Sequence, residues 1–298
     1  MTLPVKRQAA GTVLVALAAA GWGTWALFLR QSGVEPAWQS AMILAVIGLV
    51  SLPVALRRRG PARPPSAWAL LAVCALSDAG NYFCYFGALD RGPVSLTVLT
   101  HYLAPVLVAA LAPALLRERL GPRTLPALGV SLLGLGLLVA GDGLPGAALP
   151  TALLGFASAF FYAGNTLSAK KLFGAFEPAE VLSYHCLAAS LLVALSARGP
   201  RPEWHAFLWL PLAGALLLGA LGASLFYLGL SWIPAQRAAI LTYLEPLVAA
   251  LVGAAFFHER LGPAGLVGAA LILAAGGWAA TAPALGVVTP AAGPGSAQ

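Results

Sequence analysis

The chain has 298 residues, 60% of them hydrophobic and 9% charged, with a formal net charge of +7 and a mean hydropathy of +0.85. A soluble domain carries about 25% charged residues, so this composition excludes a water-facing surface and makes lipid the solvent. The positive balance does not indicate nucleic acid, because Lys and Arg lie almost entirely in the gaps between apolar runs, where they report membrane orientation.

A helix needs about 20 apolar residues to cross the hydrocarbon core. Parsing on that length predicts about ten spans, centred near Ala19, Val46, Leu76, Val106, Leu132, Phe160, Ala189, Gly219, Ala249 and Ala270. Breaks fall at Gly, Pro and charge clusters such as 57–66 and 141–150. Residues 1–20 have the outline of a signal peptide, with Lys6 and Arg7 before a short apolar stretch. Apolar sequence continues to Leu29, however, and the segment reads better as the first span. The Ala/Gly/Pro-rich, uncharged residues 282–298 read as a disordered cytoplasmic tail. With the N-terminus inside, 12 of the 17 Lys and Arg fall in inside loops and 5 in outside loops. Both termini are then cytoplasmic in a multi-pass plasma-membrane protein.

Taken in chain order, the polar residues within the spans mark a candidate pathway, since an ionisable group at the bilayer centre costs about 2.5–3.5 kcal/mol and tends to face a cavity or a partner. In the first span Trp22 and Trp25 share a face on which a substrate could stack. In the third, Asp78, Asn81, Tyr82 and Tyr85 stand at spacings 0, 3, 4 and 7, one helical face. The fourth holds His101 and Tyr102, with Thr97 and Thr100 on the face of His101. The sixth carries Ser158, Tyr162, Asn165 and Thr166 as another stripe, and the eighth carries Ser224 and Tyr227. Polar stripes of this kind also serve as interhelical glue, which is the reading given to His185 in the seventh span. Glu245 stands in the middle of the ninth span, with no basic residue nearer in sequence than Arg237. Burial favours the protonated form of such a carboxyl, so Glu245 and Asp78 are candidate proton-coupling or substrate-amine groups, with His101 as a partner. Cys74, Cys84 and Cys186 are odd in number and lie inside apolar runs. They read as small hydrophobes without metal spacing.

One signature occurs twice. Tyr102-Leu103-Ala104-Pro105 and Tyr243-Leu244-Glu245-Pro246 are 141 positions apart, and each is followed at equal distance by Glu-Arg-Leu-Gly-Pro, at Glu118 and at Glu259. Glu35-Pro36 pairs with Glu177-Pro178, and Tyr85-x-Gly87 with Tyr227-x-Gly229, at an offset of 142; His101 is the extra residue that reconciles the two. The sequence thus predicts an all-α membrane protein of two inverted five-helix repeats, 1–145 and 146–281, because an odd number of spans reverses the second repeat. Pro105 and Pro246 lack an N–H and deprive the carbonyls of His101 and Thr242 of their helical donors, which predicts a kink in each span. Glu118 and Glu259, beside Arg119 and Arg260, read as caps or gate ion pairs, and Pro122 and Pro263 suit a first helical turn.

This doubled Tyr-Leu-x-Pro…Glu-Arg-Leu-Gly-Pro pattern resembles the EamA family of the drug/metabolite transporter superfamily over nearly the whole chain. The resemblance implies a ten-helix inverted-repeat carrier, often an exporter of amino acids or related small metabolites, and Leu244-Glu245-Pro246 looks like part of threonine/homoserine exporters. The expected activity is secondary active transport of a small-molecule substrate by alternating access, with protons as a coupling ion. A passive facilitator is the nearer alternative and an intramembrane enzyme the more distant one. The four His have no metal-binding spacing, the start of a zinc motif at His258-Glu259 fails at Leu261-Gly262, and Gly141-Asp142-Gly143 completes no protease motif. No nucleotide-binding loop or other cofactor motif is present in the sequence.

Overall fold

The computed structural model describes residues 4–29, 32–57, 62–92, 94–139, 149–257 and 262–281. The Glu259 motif, the Gly141–Asp142–Gly143 loop and the expected tail lie outside the described residues. The described residues form ten helical segments in chain order. Eight are long and apolar enough to span a bilayer: the first, Val5–Leu29; the second, Pro36–Arg57; the third, Pro65–Leu89; the fourth, Leu96–Leu116; the seventh, Pro178–Ser196; the eighth, Leu210–Trp232; the ninth, Ala235–Phe256; and the tenth, Pro263–Ala280. The fifth, Thr124–Val139, is apolar but shorter. The sixth, Leu149–Leu172, has full length, but its hydropathy is diluted by Ser158, Tyr162, Asn165, Thr166 and two lysines. Large side chains including Leu17, Leu49, Leu76, Leu133, Leu153, Leu191, Leu221, Leu251 and Leu273 are exposed around the bundle. Such an apolar exterior is stable only against hydrocarbon.

Packing follows the repeat. The third segment lies against the sixth and the first against the eighth; the second pairs with the seventh, the fourth with the ninth and the fifth with the tenth. Exchanging every segment with the one five places on leaves this set unchanged, which is the signature of a twofold relation between two five-helix units. Glycines permit the close crossings. A Cβ on Gly80 would meet the Phe161 ring at 3.0 Å, and one on Gly222, 142 positions later, would meet Trp22 Nε1 at 2.9 Å. At the fifth–tenth crossing a Cβ on Gly268 would lie 2.3 Å from the Gly134 carbonyl oxygen, and one on Gly134 would lie 2.7 Å from that of Gly268.

The expected interruptions are present. The fourth segment divides into Val94–His101 and Ala104–Leu116, and the ninth into Ala235–Leu241 and Leu244–Phe256. One detail differs from the sequence expectation: the Thr242 carbonyl is not orphaned, because the Glu245 N–H closes a tighter turn onto it at 3.0 Å. Two further irregularities carried no proline signal. The first span unwinds at Gly23-Thr24-Trp25, and the eighth contains a π-helical turn over Ala215–Leu221.

One end of the bundle is tied by buried polar groups. The Glu118 carboxylate accepts the Ala235 N–H at 2.9 and 3.1 Å and so caps the ninth span. Burial pushes this carboxyl up from its ordinary range, opposed by the positive charge of Lys170 and by backbone N–H groups. Lys170 Nζ donates to the Leu230 and Ile233 carbonyls at 2.6 and 2.7 Å, closing the end of the eighth span. Gln236 Nε2 donates to the Arg119 carbonyl at 3.1 Å. At the opposite end, Glu35 accepts the Arg198 and Gly199 N–H groups beside an open groove of about 640 Å³ lined by Trp25, Leu29, Glu35 and Gln39 among others.

The glycine crossing yields a direct test. Gly268→Ala should destabilise the protein by about 1–3 kcal/mol through overpacking. Gly129→Ala, where an added Cβ meets nothing within 4 Å, should leave thermal stability in detergent unchanged or slightly raised. Equal melting temperatures for the two variants would show that the fifth and tenth segments do not cross at this glycine.

Candidate functional site

The two proline breaks lie side by side at the fourth–ninth interface, and the repeat-related tyrosines meet there. The Tyr243 hydroxyl donates to the Tyr102 carbonyl at 2.9 Å, and the two rings are 6.0 Å apart. This hydroxyl supplies a donor to a carbonyl in the broken turn of the fourth span. Tyr243 is fully buried, whereas Tyr102 retains 9% of its surface and its side chain is a hydrogen-bonding partner of the Glu245 carboxyl. Identical sequence positions therefore do different work in the two repeats.

Glu245 lies in the first turn of Leu244–Phe256, where the positive end of the half-helix dipole favours a carboxylate. The unwound part of the first span closes over it, for a Cβ on Gly23 would fall 2.5 Å from the Glu245 carbonyl oxygen and 2.6 Å from Val248 Cβ. Only glycine fits there. Around the carboxyl stand Tyr82, Tyr85, Tyr102 and Tyr162, each close enough to feel its charge. His101 sits among them, with ring centroids 4.9 Å from Tyr85, 5.3 Å from Tyr102 and 5.5 Å from Tyr162. Its Nδ1 is 2.9 Å from Ser158 Oγ. His101 is thus a member of an aromatic cage bonded to a serine, and the expected partnership with Asp78 or Glu245 is replaced by that contact.

A second cluster surrounds Asp78. Its Oδ2 lies 3.3 Å from His185 Nε2, with side-chain exposures of 16% and 2%. The Tyr227 hydroxyl is 3.2 Å from the same nitrogen and 3.4 Å from Asn165 Oδ1, and its ring stacks on His185 at 5.5 Å and 9°. Asn165 Nδ2 donates to the Cys74 carbonyl at 3.3 Å, and Cys186 Sγ is 3.4 Å from His185 Nε2. Segments three, six, seven and eight all contribute. Tyr82 and Tyr162 feel both Asp78 and Glu245, so the two clusters form the walls of one polar region. Asn81 Oδ1 is a buried acceptor with no hydrogen-bond partner, one turn along the third helix from Asp78.

Two expectations are corrected. Ser224 is exposed and bonds back to the Ala220 carbonyl at 2.6 Å, on the outer stripe with Leu217, Leu221 and Leu228. It lies about 60° around the helix from Tyr227, and its side chain is too short to reach back. Trp22 and Trp25 offer no free stacking face, because both rings pack against the eighth segment, at Gly222 and Gly214. Trp22 Nε1 donates to the Leu218 carbonyl in the π-helical turn at 2.9 Å and the ring packs on Phe226 at 5.1 Å, while Trp25 lines the end groove. His185, read from sequence as interhelical glue, does bridge helices: it pairs with Asp78 of the third segment and Tyr227 of the eighth, with Cys186 beside it. The signal available along the chain for Cys74 was its one-turn spacing from Asp78 on the third-span stripe.

A buried polar region at the meeting point of two broken helices, inside an all-helical bundle with an apolar exterior, defines a membrane transporter. The chain belongs to the EamA-like transporter family, whose profile matches it twice, over residues 9–140 and 149–277. It is 31% identical over 271 residues to an uncharacterized transporter of Archaeoglobus fulgidus, covering 89% of this chain and 94% of that one. To the protein RarD of Streptomyces exfoliatus it is 29% identical, over 85% and 82% of the two chains. A crystal structure with 23% identity superposes with a TM-score of 0.77 over 91% of this chain and 96% of the other, a likeness of fold.

The tyrosine pair offers a measurement. Interhelical hydrogen bonds in membrane proteins contribute about 0.6 kcal/mol on average and about 1.7 at most. Tyr243→Phe, which strips the donor from a buried carbonyl, should cost an amount toward the upper figure in thermal unfolding. A variant as stable as wild type would remove the hydroxyl's role in the break.

Proposed function

We propose that the protein is a secondary active transporter that exports a small cationic or zwitterionic metabolite, an amino acid or a related compound, in exchange for protons. The observation carrying this reading is Glu245, a carboxyl in the first turn after a helix break, with four tyrosines within its electrostatic reach. An ammonium group would find charge in Glu245 and Asp78 and π-faces in the tyrosines. The unpartnered Asn81 Oδ1 would accept one of its N–H bonds. Glu245 would alternate between a proton and substrate, since both compete for the same carboxylate. Arg and Lys asymmetry between the loops supports a plasma-membrane orientation with both termini and the Glu118 end cytoplasmic.

Two repeats divided near residues 145–146 would rock against each other about this region, exposing it alternately to the two sides. The buried ties of Glu118, Lys170 and Gln236 support a state closed at that end. Opening would transfer the Glu118 and Lys170 contacts to water.

The reading is tested in proteoliposomes by counterflow with a panel of labelled amino acids, with and without an imposed pH gradient. Wild-type protein should exchange at least one of them and accumulate it against its gradient when protons flow the other way. Glu245→Gln should abolish gradient-driven accumulation, by tenfold or more, and Asp78→Asn should weaken binding. Undiminished proton-driven accumulation by Glu245→Gln would sink the coupling role. Non-saturable flux without exchange would replace the carrier by a passive facilitator.

A further inference from the structure

The cluster around His185 has a property that neither interhelical packing nor substrate-amine recognition explains. Three potential metal ligands on two neighbouring helices converge on one point: Asp78 Oδ2, His185 Nε2 and Cys186 Sγ, all within 4.8 Å of one another. His185 Nε2 is 3.3 Å from the carboxylate oxygen and 3.4 Å from the sulfur. In a tetrahedral zinc site, bonds of about 2.0 Å to nitrogen or oxygen and about 2.3 Å to sulfur place neighbouring ligand atoms about 3.3–3.6 Å apart. The two nearest separations match those of a preformed coordination shell.

Hydrogen bonding around the triad directs the lone pairs inward. His185 Nδ1 lies 2.7 Å from the Val181 carbonyl, an acceptor only, so this nitrogen carries the hydrogen and the neutral ring presents the Nε2 lone pair to Asp78 and Cys186. A backbone carbonyl on the far nitrogen is the usual means of orienting a metal-binding imidazole. The Tyr227 hydroxyl has one proton and two acceptors within reach, Asn165 Oδ1 at 3.4 Å and His185 Nε2 at 3.2 Å; donated to Asn165, it leaves the phenol lone pairs on the side of Nε2. A carboxylate, an imidazole lone pair, a phenol oxygen and a sulfur then face one another in a largely buried space. Donor atoms so arranged would be satisfied by a metal ion at their centre. The sulfur favours the metal, because a thiolate–imidazole–carboxylate set selects cations of the zinc class.

We propose that Asp78, His185 and Cys186 form a binding site for one transition-metal cation of the Zn2+ class, with the Tyr227 hydroxyl or a water completing the shell. Asp78, the more exposed of the pair with His185, is the point of entry from the polar region. Binding converts the Cys186 thiol to a thiolate: the S–H bond breaks, the S–metal bond forms, and the proton leaves to water, so one proton is released per ion. Because the ion joins the third and seventh spans, its occupancy would fix those helices relative to each other. This proposal does not rest on the carrier reading, and its readouts require no transport.

The full chain is purified in detergent, reduced, stripped with chelator and titrated with Co2+. Saturation is expected at one ion per chain, with a near-ultraviolet thiolate-to-cobalt charge-transfer band, release of one proton per ion and displacement by Zn2+. Cys186→Ser should lose the band and Cys84→Ser should keep it, Cys84 being outside the triad. X-ray absorption of the Zn2+-loaded wild type gives an answer independent of any variant's folding: one sulfur at about 2.3 Å with nitrogen or oxygen neighbours at about 2.0 Å. A zinc shell without sulfur, no saturable Co2+ binding, or a charge-transfer band that survives in folded Cys186→Ser each overturns the site.

Discussion

In hydrocarbon every backbone N–H and C=O must find its partner inside the protein, and the irregular parts of this fold are organised by that demand. Several irregular turns and helix ends are serviced by a side chain from elsewhere in the chain, while the unwound turn of the first span and the break of the ninth close on local bonds. The broken turn of the fourth span receives the Tyr243 hydroxyl, and the π-helical turn of the eighth receives the Trp22 indole. The C-terminal carbonyls of the eighth span receive Lys170, and the first N–H of the ninth is taken by Glu118. Even where helices are regular, Ser183 and Ser190 donate across to the Gly48 and Ala41 carbonyls. Those serviced from across can exist at membrane depth only because the opposing helix carries the right group at the right height.

The same constraint couples the two repeats. Tyr243 belongs to one and the carbonyl it satisfies to the other, and the same holds for Trp22 with Leu218 and for Glu118 with Ala235. Two of these pairs join the repeats directly across the fourth–ninth interface. The scaffold is twofold and the chemistry is not. Positions matching Asp78 and Asn81 are Ala220 and Ala223, the position matching Glu245 is Ala104, and His101 has no counterpart. A symmetric scaffold offers two interchangeable packings, and an asymmetric lining gives both of them the same binding chemistry.

The repeat, the number of segments and the two proline breaks were legible in the sequence, because each depends on local chain properties: apolar length, an odd helix count per repeat, and a missing N–H. The third-span stripe was legible for the same reason, since an unbroken helix such as Pro65–Leu89 preserves its faces. Legibility ended where one helix meets another. Nothing along the chain says that His185 faces Asp78 while His101 faces Ser158, because that depends on which segments cross and at what height. Trp22 and Trp25 misled because both rings pack against the eighth segment, at Gly222 and Gly214. Ser224 misled because about 60° of helix rotation separates a long tyrosine that reaches inward from a short serine that does not. The cysteines are buried, as their apolar runs implied, but the approach of Cys186 and His185 to Asp78 of another span was not legible along the chain.

Energetics bear on why an Asp–His pair lies within the bundle at all. A buried ion pair is seldom more stabilising than apolar residues of the same volume, and in a membrane the alternative of simple packing is always open. Here the packing is already present: Gly80 admits the Phe161 ring, and a Cβ on Gly164 would meet Ser77 Oγ at 3.0 Å. The third and sixth helices are held without help from Asp78. The seventh likewise crosses the second closely, where a Cβ on Gly48 would fall 2.6 Å from Leu187 Cγ, with two serine hydrogen bonds besides. Adhesion is thus an insufficient account of the cost of placing Asp78 and His185 in the hydrocarbon region. What the pair adds is polar chemistry inside the bundle, beside Tyr82 and Tyr162, which lie within electrostatic reach of both Asp78 and Glu245. On the proposed reading, a cation taken up at one carboxyl would act through space on the other, and a substrate lying between them would meet both.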